Sequence, residues 1–331
     1  MRGQGERRGV LLVNLGTPDA PETPAVRRYL REFLMDGRVI DIPTPARWVL
    51  VNFVIAPFRS PKSAKAYRAV WTPDGSPLLV HSRALAAAVE QRLGERVTLA
   101  MRYGSPSIAE GIARLGEVDR ILVVPLYPQY ASSSTGTALE EIYRALAGRV
   151  WVPPVDVLPP FFDDPGFLDA QAGLARVDTA WADHVLFSYH SLPERQIQAA
   201  APSCQLGACC ETTTPPWCYR AQCLATTRGL VERLGLADGA WSQSFQSRLG
   251  RAEWLKPPTD VVVPDLARRG VKRLAVLCPS FVSDCLETLE EIGIRAREEF
   301  RAAGGEDLRL VPCVNATPAW ADALTRRIAA M

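Results

Sequence analysis

A histidine at the end of an apolar run, two glutamates four residues apart and a crowd of cysteines are the groups in this sequence best suited to chemistry. Residues 185–193 read VLFSYHSLP, apolar until His190 and punctuated by Pro193 where a helix could begin. That pattern predicts a buried strand with His190 at its carboxyl end, the edge at which open α/β sheets hold their ligands. The bland alternative is an imidazole that hydrogen-bonds inside the core. Residues 278–291 (CPSFVSDCLETLEE) predict a strand that runs into a turn, with Ser283 as the N-cap of a long helix over 284–302. The helix dipole explains acids in its first turn, Asp284 and Glu287. Glu287 and Glu291, however, share a face, and neighbouring like charges mildly destabilise a helix. A route for a divalent cation would account for that ridge. Of the eight cysteines, Cys204, Cys209, Cys210, Cys218 and Cys223 crowd one segment, while Cys278, Cys285 and Cys313 are scattered. In a cytosolic chain such a group points to metal before disulfides.

The elements that must position these groups alternate along the chain. Residues 9–15 read as a strand closed by Gly16-Thr17-Pro18, and Val26, Leu30, Phe33 and Leu34 mark one face of a helix over 24–34. Strands at 97–103 and 120–126 are expected between helices at 60–67, 82–93, 108–115 and 138–146, with a polar loop at 127–137. The prolines at 153, 154, 159 and 160 bracket a short extended segment and a crossover. A second series follows, with strands at 184–189, 241–245, 273–278 and 308–311 and helices at 219–234, 259–268, 284–302 and 318–330. This alternation predicts mostly parallel sheets with helices on both faces. The two halves match in length and rhythm, which predicts two doubly wound lobes, 1–175 and 176–331, with a cleft between them. Neither G-x-G-x-x-G after a strand nor a Walker A motif is present.

Composition sets the outer bounds. With 47% apolar and 22% charged residues the chain has the make-up of a soluble globular protein. A net charge of +2 gives no reason to expect nucleic acid, which demands a concentrated basic face. The apolar run at 10–13 is too short for a signal peptide's core, and no stretch nears the roughly 20 apolar residues that span a bilayer. The expected location is cytoplasmic, with contact to the inner face of a membrane. The segment 39–58 carries Trp48, Val49, Leu50, Val51, Phe53, Val54 and Ile55 between Pro43, Pro45 and Pro57. It is either a packed loop or an exposed lip that meets something greasy.

The sequence resembles the ferrochelatases, which insert ferrous iron into a porphyrin at the end of haem synthesis. The resemblance rests on NLGTP at 14–18, GSP at 75–77, MRYGSP at 101–106, YPQYASSSTG from Tyr127, SYHSLPER from Ser188, FQSRLGRAEWLKPPTD from Phe245 and CPSFVSDCLETLEEI from Cys278. These fall in order along nearly the whole chain. The resemblance implies two Rossmann-like lobes enclosing a porphyrin cleft, in agreement with the alternation above. It implies porphyrin as substrate, haem as product and Fe2+ as the metal inserted. His190 matches the family's histidine for pyrrole deprotonation or metal delivery, and Glu287 the acid opposite it. Metallation removes two pyrrole protons, so an imidazole and a carboxylate are natural acceptors. Glu291 extends the acidic path for iron. Leu15, Tyr67, Ser76, Arg102, Tyr103, Tyr130, Trp254 and Phe281 match positions that line the pocket, where aromatics supply flat apolar contacts and Arg102 or Ser76 could bind propionates. Two departures matter: Cys285 stands where some relatives carry a histidine, and Arg295 where some continue the acidic row.

The lip at 39–58 corresponds to the family's greasy pocket mouth. With an apolar Leu15, it favours protoporphyrin IX over coproporphyrin III and a membrane surface as partner; burial in a homodimer would give the same composition. Residues 199–223 read as an insertion. Several ferrochelatases carry a [2Fe-2S] cluster, commonly on cysteines near the C-terminus, but no cysteine follows Cys313 here. Cys204, Cys210, Cys218 and Cys223 are the expected ligands, with Cys209 as substitute. Structural zinc is the runner-up, free thiols the third reading. Other functions on this architecture are a cobalt chelatase of an early tetrapyrrole and a non-enzymatic haem or iron sensor.

Overall fold

The computed structural model describes residues 7–205, 209–210, 217–248, 250 and 252–331. The chain divides into two compact units. One holds the chain through Tyr127, with Ala131–Pro160 and Ala321–Met331; the other holds Pro128–Tyr130 and Phe161–Trp320. The boundary expected at 175 falls inside the helix Pro165–Trp181 of the second unit, an element that sequence reading passed over as a crossover. Its first turn is set by Asp164, whose side chain accepts from the Phe167 N–H.

Each unit is built on a four-stranded, wholly parallel sheet. In the first, β1 (Arg8–Thr17), β2 (Arg96–Gly104), β3 (Arg120–Pro125) and β4 (Val155–Val157) lie in the order β2-β1-β3-β4. In the second, β5 (His184–His190), β6 (Trp241–Gln246), β7 (Arg273–Leu277) and β8 (Asp307–Leu310) lie in the order β6-β5-β7-β8. The two orders are the same, so the similar rhythm of the halves is a repeated topology. Continuous apolar runs are what a strand covered on both faces requires: Val10 to Val13 and Val185 to Phe187 are all at most 2% exposed. The first sheet packs Leu11, Val13, Ile121 and Val123 against Ile112 and Ile142 from its helices; the second packs Leu186, Leu274 and Val276 against Val263 and Phe300. Each such side chain contributes about 1.5–3 kcal/mol through burial. At the end of β1, Gly16 pairs with Tyr103 at φ +118°, and a Cβ there would lie 1.8 Å from the Tyr103 carbonyl oxygen. Only glycine lets the strands approach so closely.

Two expectations change. The segment 39–58 is not a proline-broken loop. It is helical from Thr44, as an α-turn over Thr44–Val49, a π-helical stretch over Leu50–Ile55 and the helix Ala56–Val70. Pro45 and Pro57 sit in first turns, where a missing N–H costs nothing. The buried Arg47 guanidinium closes the preceding loop by donating to the carbonyls of Ile40 and Ile42, each at 2.9 Å. Trp48, Val49, Phe53, Val54 and Phe58 are all at least 50% exposed. The helix expected over 284–302 is likewise interrupted, running as Leu286–Leu289, a π-helical stretch Glu291–Ala296, and Arg297–Ala302. Among the described residues no helix is long and apolar enough to cross a membrane.

Candidate active site

With β5 at the centre of the second sheet, β6 departs to one side and β7 to the other. Ligands collect at such a switch point, beyond the carboxyl ends of the strands. His190 is the last residue of β5, in register with Gln246 at the end of β6. Its N–H donates to Ser280 Oγ at 3.1 Å, across the gap to the turn after β7, and its carbonyl accepts from Tyr219 Oη at 2.8 Å. The ring is fixed as well. His190 Nδ1 lies 2.7 Å from the Ser191 carbonyl oxygen, which can only accept. Nδ1 therefore carries a proton, and Nε2 is the ring nitrogen left to accept one. The Phe281 ring stands edge-on to the imidazole at 6.3 Å, and Trp254 bridges to Pro193 just beyond it.

The acids are seated on the same end of this sheet. Gln246 Nε2 donates to the Glu287 carbonyl oxygen at 2.8 Å, while Gln246 Oε1 accepts from Ser188 Oγ at 2.7 Å. Glu291 opens the π-helical stretch, marked by the Arg295 N–H donating back five residues to the Glu290 carbonyl. A π-turn re-phases side chains and is frequent at functional sites. Burial pushes the Glu291 carboxyl above its ordinary range; Glu287's charge adds to the rise, while Ser247's hydrogen bonds, Arg295 and His190 oppose it. Asp284, by contrast, is structural. It accepts from Asn315 Nδ2 at 2.7 Å and from the Cys313 N–H at 3.2 Å, pinning the turn after β7 to the segment after β8. Cys285, in the place of some relatives' histidine, is a buried thiol pushed up by burial and next by Glu287, which keeps it neutral.

The remaining expected residues divide between the units. Tyr130, in the second, stacks edge-on against Trp217 at 5.7 Å and donates its N–H to Gln222. Leu15, Tyr67, Ser76, Arg102 and Tyr103 belong to the first. Leu15 is partly exposed near the end of β1, and Tyr67 is buried against Trp71 at 6.2 Å. Ser76 is buried and accepts from Thr17 Oγ1 at 2.8 Å. Arg102 and Tyr103 are both tied into a hydrogen-bonded network around Asp36. Arg102 Nη2 contacts Asp36 Oδ2 at 2.7 Å and its Nε donates to Thr137, while the fully buried Tyr103 gives its hydroxyl to the same Asp36 oxygen at 2.9 Å. Burial pushes the Asp36 carboxyl up, but the bond from Thr137, the Arg38 N–H, Tyr103 and the Arg102 charge together hold it below its ordinary value. Sequence reading missed Asp36, Ser247, Gln246, Ser280 and Tyr219, since small polar residues and tyrosines carry no signal until their partners are in place.

The cysteines are only partly gathered. Cys210 Sγ lies 3.9 Å from both Cys209 Sγ and Cys218 Sγ. Burial pushes the Cys210 thiol up to about 11 and raises Cys218 and Cys223 too. Cys223 lies on the buried face of the helix Tyr219–Leu234, against Tyr219. Among the described residues no three His, Cys, Asp or Glu side chains converge as a metal site. Among the described residues the expected set Cys204, Cys210, Cys218 and Cys223 is thus not assembled as a metal site. Residues 206–208 and 211–216 of the insertion lie outside the described residues.

Comparison with known proteins places the chain in a family. The chain is 51% identical over 328 residues to a ferrochelatase of Azotobacter vinelandii, covering 96% of this chain and 97% of that one. It is 46% identical over 325 residues to a ferrochelatase of Legionella pneumophila, with 96% and 97% covered, and 45% identical over 331 residues to one of Coxiella burnetii, with 96% and 92% covered. In fold it is similar to the sirohydrochlorin chelatase SirB of Bacillus subtilis in complex with cobalt, at a TM-score of 0.56 and 12% identity over 98% of this chain and 94% of that one. Residues 7–331 match the ferrochelatase family model, and the chain belongs to the ferrochelatase family.

Proposed function

We propose that this protein inserts Fe2+ into protoporphyrin IX to form protohaem, as a lyase of haem biosynthesis. The observation that carries the catalytic assignment is the hydrogen bond that engages His190 Nδ1 with the Ser191 carbonyl and leaves Nε2 as the ring nitrogen able to accept a proton at the switch point of the second sheet. As iron bonds to the four pyrrole nitrogens, two N–H bonds break, their electron pairs stay on nitrogen, and two protons leave. His190 Nε2 accepts one of them and the Glu287 carboxylate the other, the role general-base catalysis gives an imidazole and a carboxylate. Glu287 and Glu291 supply carboxylate oxygens for the incoming iron. Phe281, Trp254 and Tyr130, all in the second unit, offer apolar contacts to the macrocycle.

Protoporphyrin is favoured over coproporphyrin by the apolar Leu15 and by the exposed apolar face from Trp48 to Phe58. We read that face as resting on a membrane, which would make this a cytoplasmic protein peripheral to the bilayer. The thiols of Cys209, Cys210 and Cys218 are donors suited to a [2Fe-2S] cluster or to zinc; such a group would supply electron-transfer or purely structural chemistry, and no step of metallation runs through it. Cys218→Ser should then remove any visible absorbance of the anaerobically purified protein, and a colourless protein that contains zinc would overturn the cluster.

The test of the whole reading is anaerobic Fe2+ insertion, followed by the change in visible absorption, with protoporphyrin IX compared against coproporphyrin III. Faster turnover of protoporphyrin supports it. A preference for coproporphyrin would overturn the substrate and membrane assignments, and tight porphyrin binding without turnover would mark a sensor.

A further inference from the structure

The residue after β6, Ser247, has a φ of +68°, one of two left-handed non-glycine residues among those described. A serine with φ > 0 costs free energy and persists only where its surroundings demand it, most often at a working site. Here the demand is visible. In this conformation both donors of Ser247 meet one carboxylate: its N–H reaches Glu291 Oε1 at 2.9 Å and its hydroxyl reaches Oε2 at 2.5 Å. Hydrogen bonds to a carboxylate are among the stronger ones, and a two-point seat also fixes its plane. The rest of the frame is firm. Gln246, just before Ser247, is tied to the Glu287 carbonyl, and Ser188 is tied to Gln246. Arg295, the cation on the same π-helical stretch, stands 4.0 Å from Glu291 Oε2 and 3.2 Å from Glu290. Without Ser247, that arginine is the group best placed to draw the Glu291 carboxylate away.

We propose that Ser247 is a positioning residue for iron, holding the Glu291 carboxylate in the orientation in which it receives Fe2+. This rests on the ferrochelatase reading above. Ser247 touches neither iron nor porphyrin; it acts through Glu291, so its loss should show in the handling of iron and not in that of porphyrin. The hydroxyl is separable from the backbone, because glycine keeps the N–H and adopts the left-handed conformation freely.

The experiment is anaerobic steady-state insertion and direct Fe2+ binding by calorimetry, on the full chain and on Ser247→Gly, Ser247→Ala, Glu291→Gln and the Ser247→Gly/Glu291→Gln double variant. Ser247→Gly should raise KM and Kd for Fe2+ about tenfold, the scale of one lost hydrogen bond to a charged group. KM for porphyrin and the thermal midpoint should stay unchanged, or the midpoint rise as backbone strain is relieved. In the Glu291→Gln background the glycine substitution should add nothing further, since both changes remove one interaction. Unchanged Fe2+ affinity in a folded Ser247→Gly protein, or an equal loss with and without Glu291, would overturn the proposal while leaving the ferrochelatase reading intact. Absence of iron insertion by the unsubstituted chain would overturn both.

Discussion

His190 and Ser191 are joined by more than the peptide bond between them: the ring Nδ1 of the first lies 2.7 Å from the carbonyl oxygen of the second. A side chain folded onto its own following carbonyl is held in one orientation, which would spare the proposed base a search before it accepts a proton. Replacing His190 with Ala should lower the rate of metal insertion by about 10²–10⁴-fold, the usual scale for a general base. The side chain is only half-buried, so the thermal midpoint should move little. Near-normal turnover by that variant would remove His190 from the mechanism.

Arg102 and Asp36 should matter for stability. Both side chains are at most 11% exposed, and each would be stranded without the other. Arg102→Leu should cost about 3–5 kcal/mol in urea unfolding, because it leaves a buried carboxylate uncompensated, and pairing it with Asp36→Asn should recover much of the loss. The sign of the pH dependence follows from the lowered Asp36 value. Its contribution is complete above the ordinary carboxylate range, near pH 4, and is lost as pH falls through the folded value. A stability gap between unsubstituted and Asp36→Asn protein that did not shrink in acid would contradict this.

Glu291 behaves in the opposite sense. Its carboxyl is raised, chiefly by burial, so the folded protein binds its proton more tightly than the unfolded chain does. Stability from this group is greatest below the unfolded value and falls as pH rises through the folded one. Glu291→Gln should therefore be more stable than the unsubstituted protein at neutral pH, with the difference fading towards pH 4. Thermal melts between pH 4 and 8 decide it; a difference of the opposite sign would mean that Ser247 and Arg295 outweigh desolvation.

The exposed face from Trp48 to Phe58 should govern attachment to lipid and not folding. Phe53 and Phe58 are 61% and 79% exposed. Changing both to Ser should weaken co-sedimentation with lipid vesicles tenfold or more, since burying one such ring is worth about 1.5–3 kcal/mol. The melting temperature should not move. If vesicle binding is unaffected while a dimer seen by ultracentrifugation dissociates, the face is a subunit interface.

Much of the architecture was legible before any coordinates, because it follows from local pattern. Short continuous apolar runs fit strands covered on both faces, and 10–13, 121–124 and 185–187 are such strands. The helices at 108–115, 219–234 and 259–268 end where periodicity and Gly or Pro punctuation end them. His190 at a strand's carboxyl end was likewise written in the break from apolar to polar residues. Elsewhere local pattern misled. Prolines at 45 and 57 read as breakers, and only the helix around them shows that they occupy first turns. The 284–302 helix has helical spacing throughout, but the seat offered by Ser247 and the frame held by Asp284 are long-range, and the π-helical stretch belongs with them. Tertiary structure alone decided which polar groups meet. It turned Arg102 inward to Asp36, across 66 residues of sequence. It also brought Ser247 to Glu291 across 44 residues. Periodicity reports which face of an element is buried, whereas hydrogen-bond partners depend on how distant elements pack, and that is set only when the chain has folded.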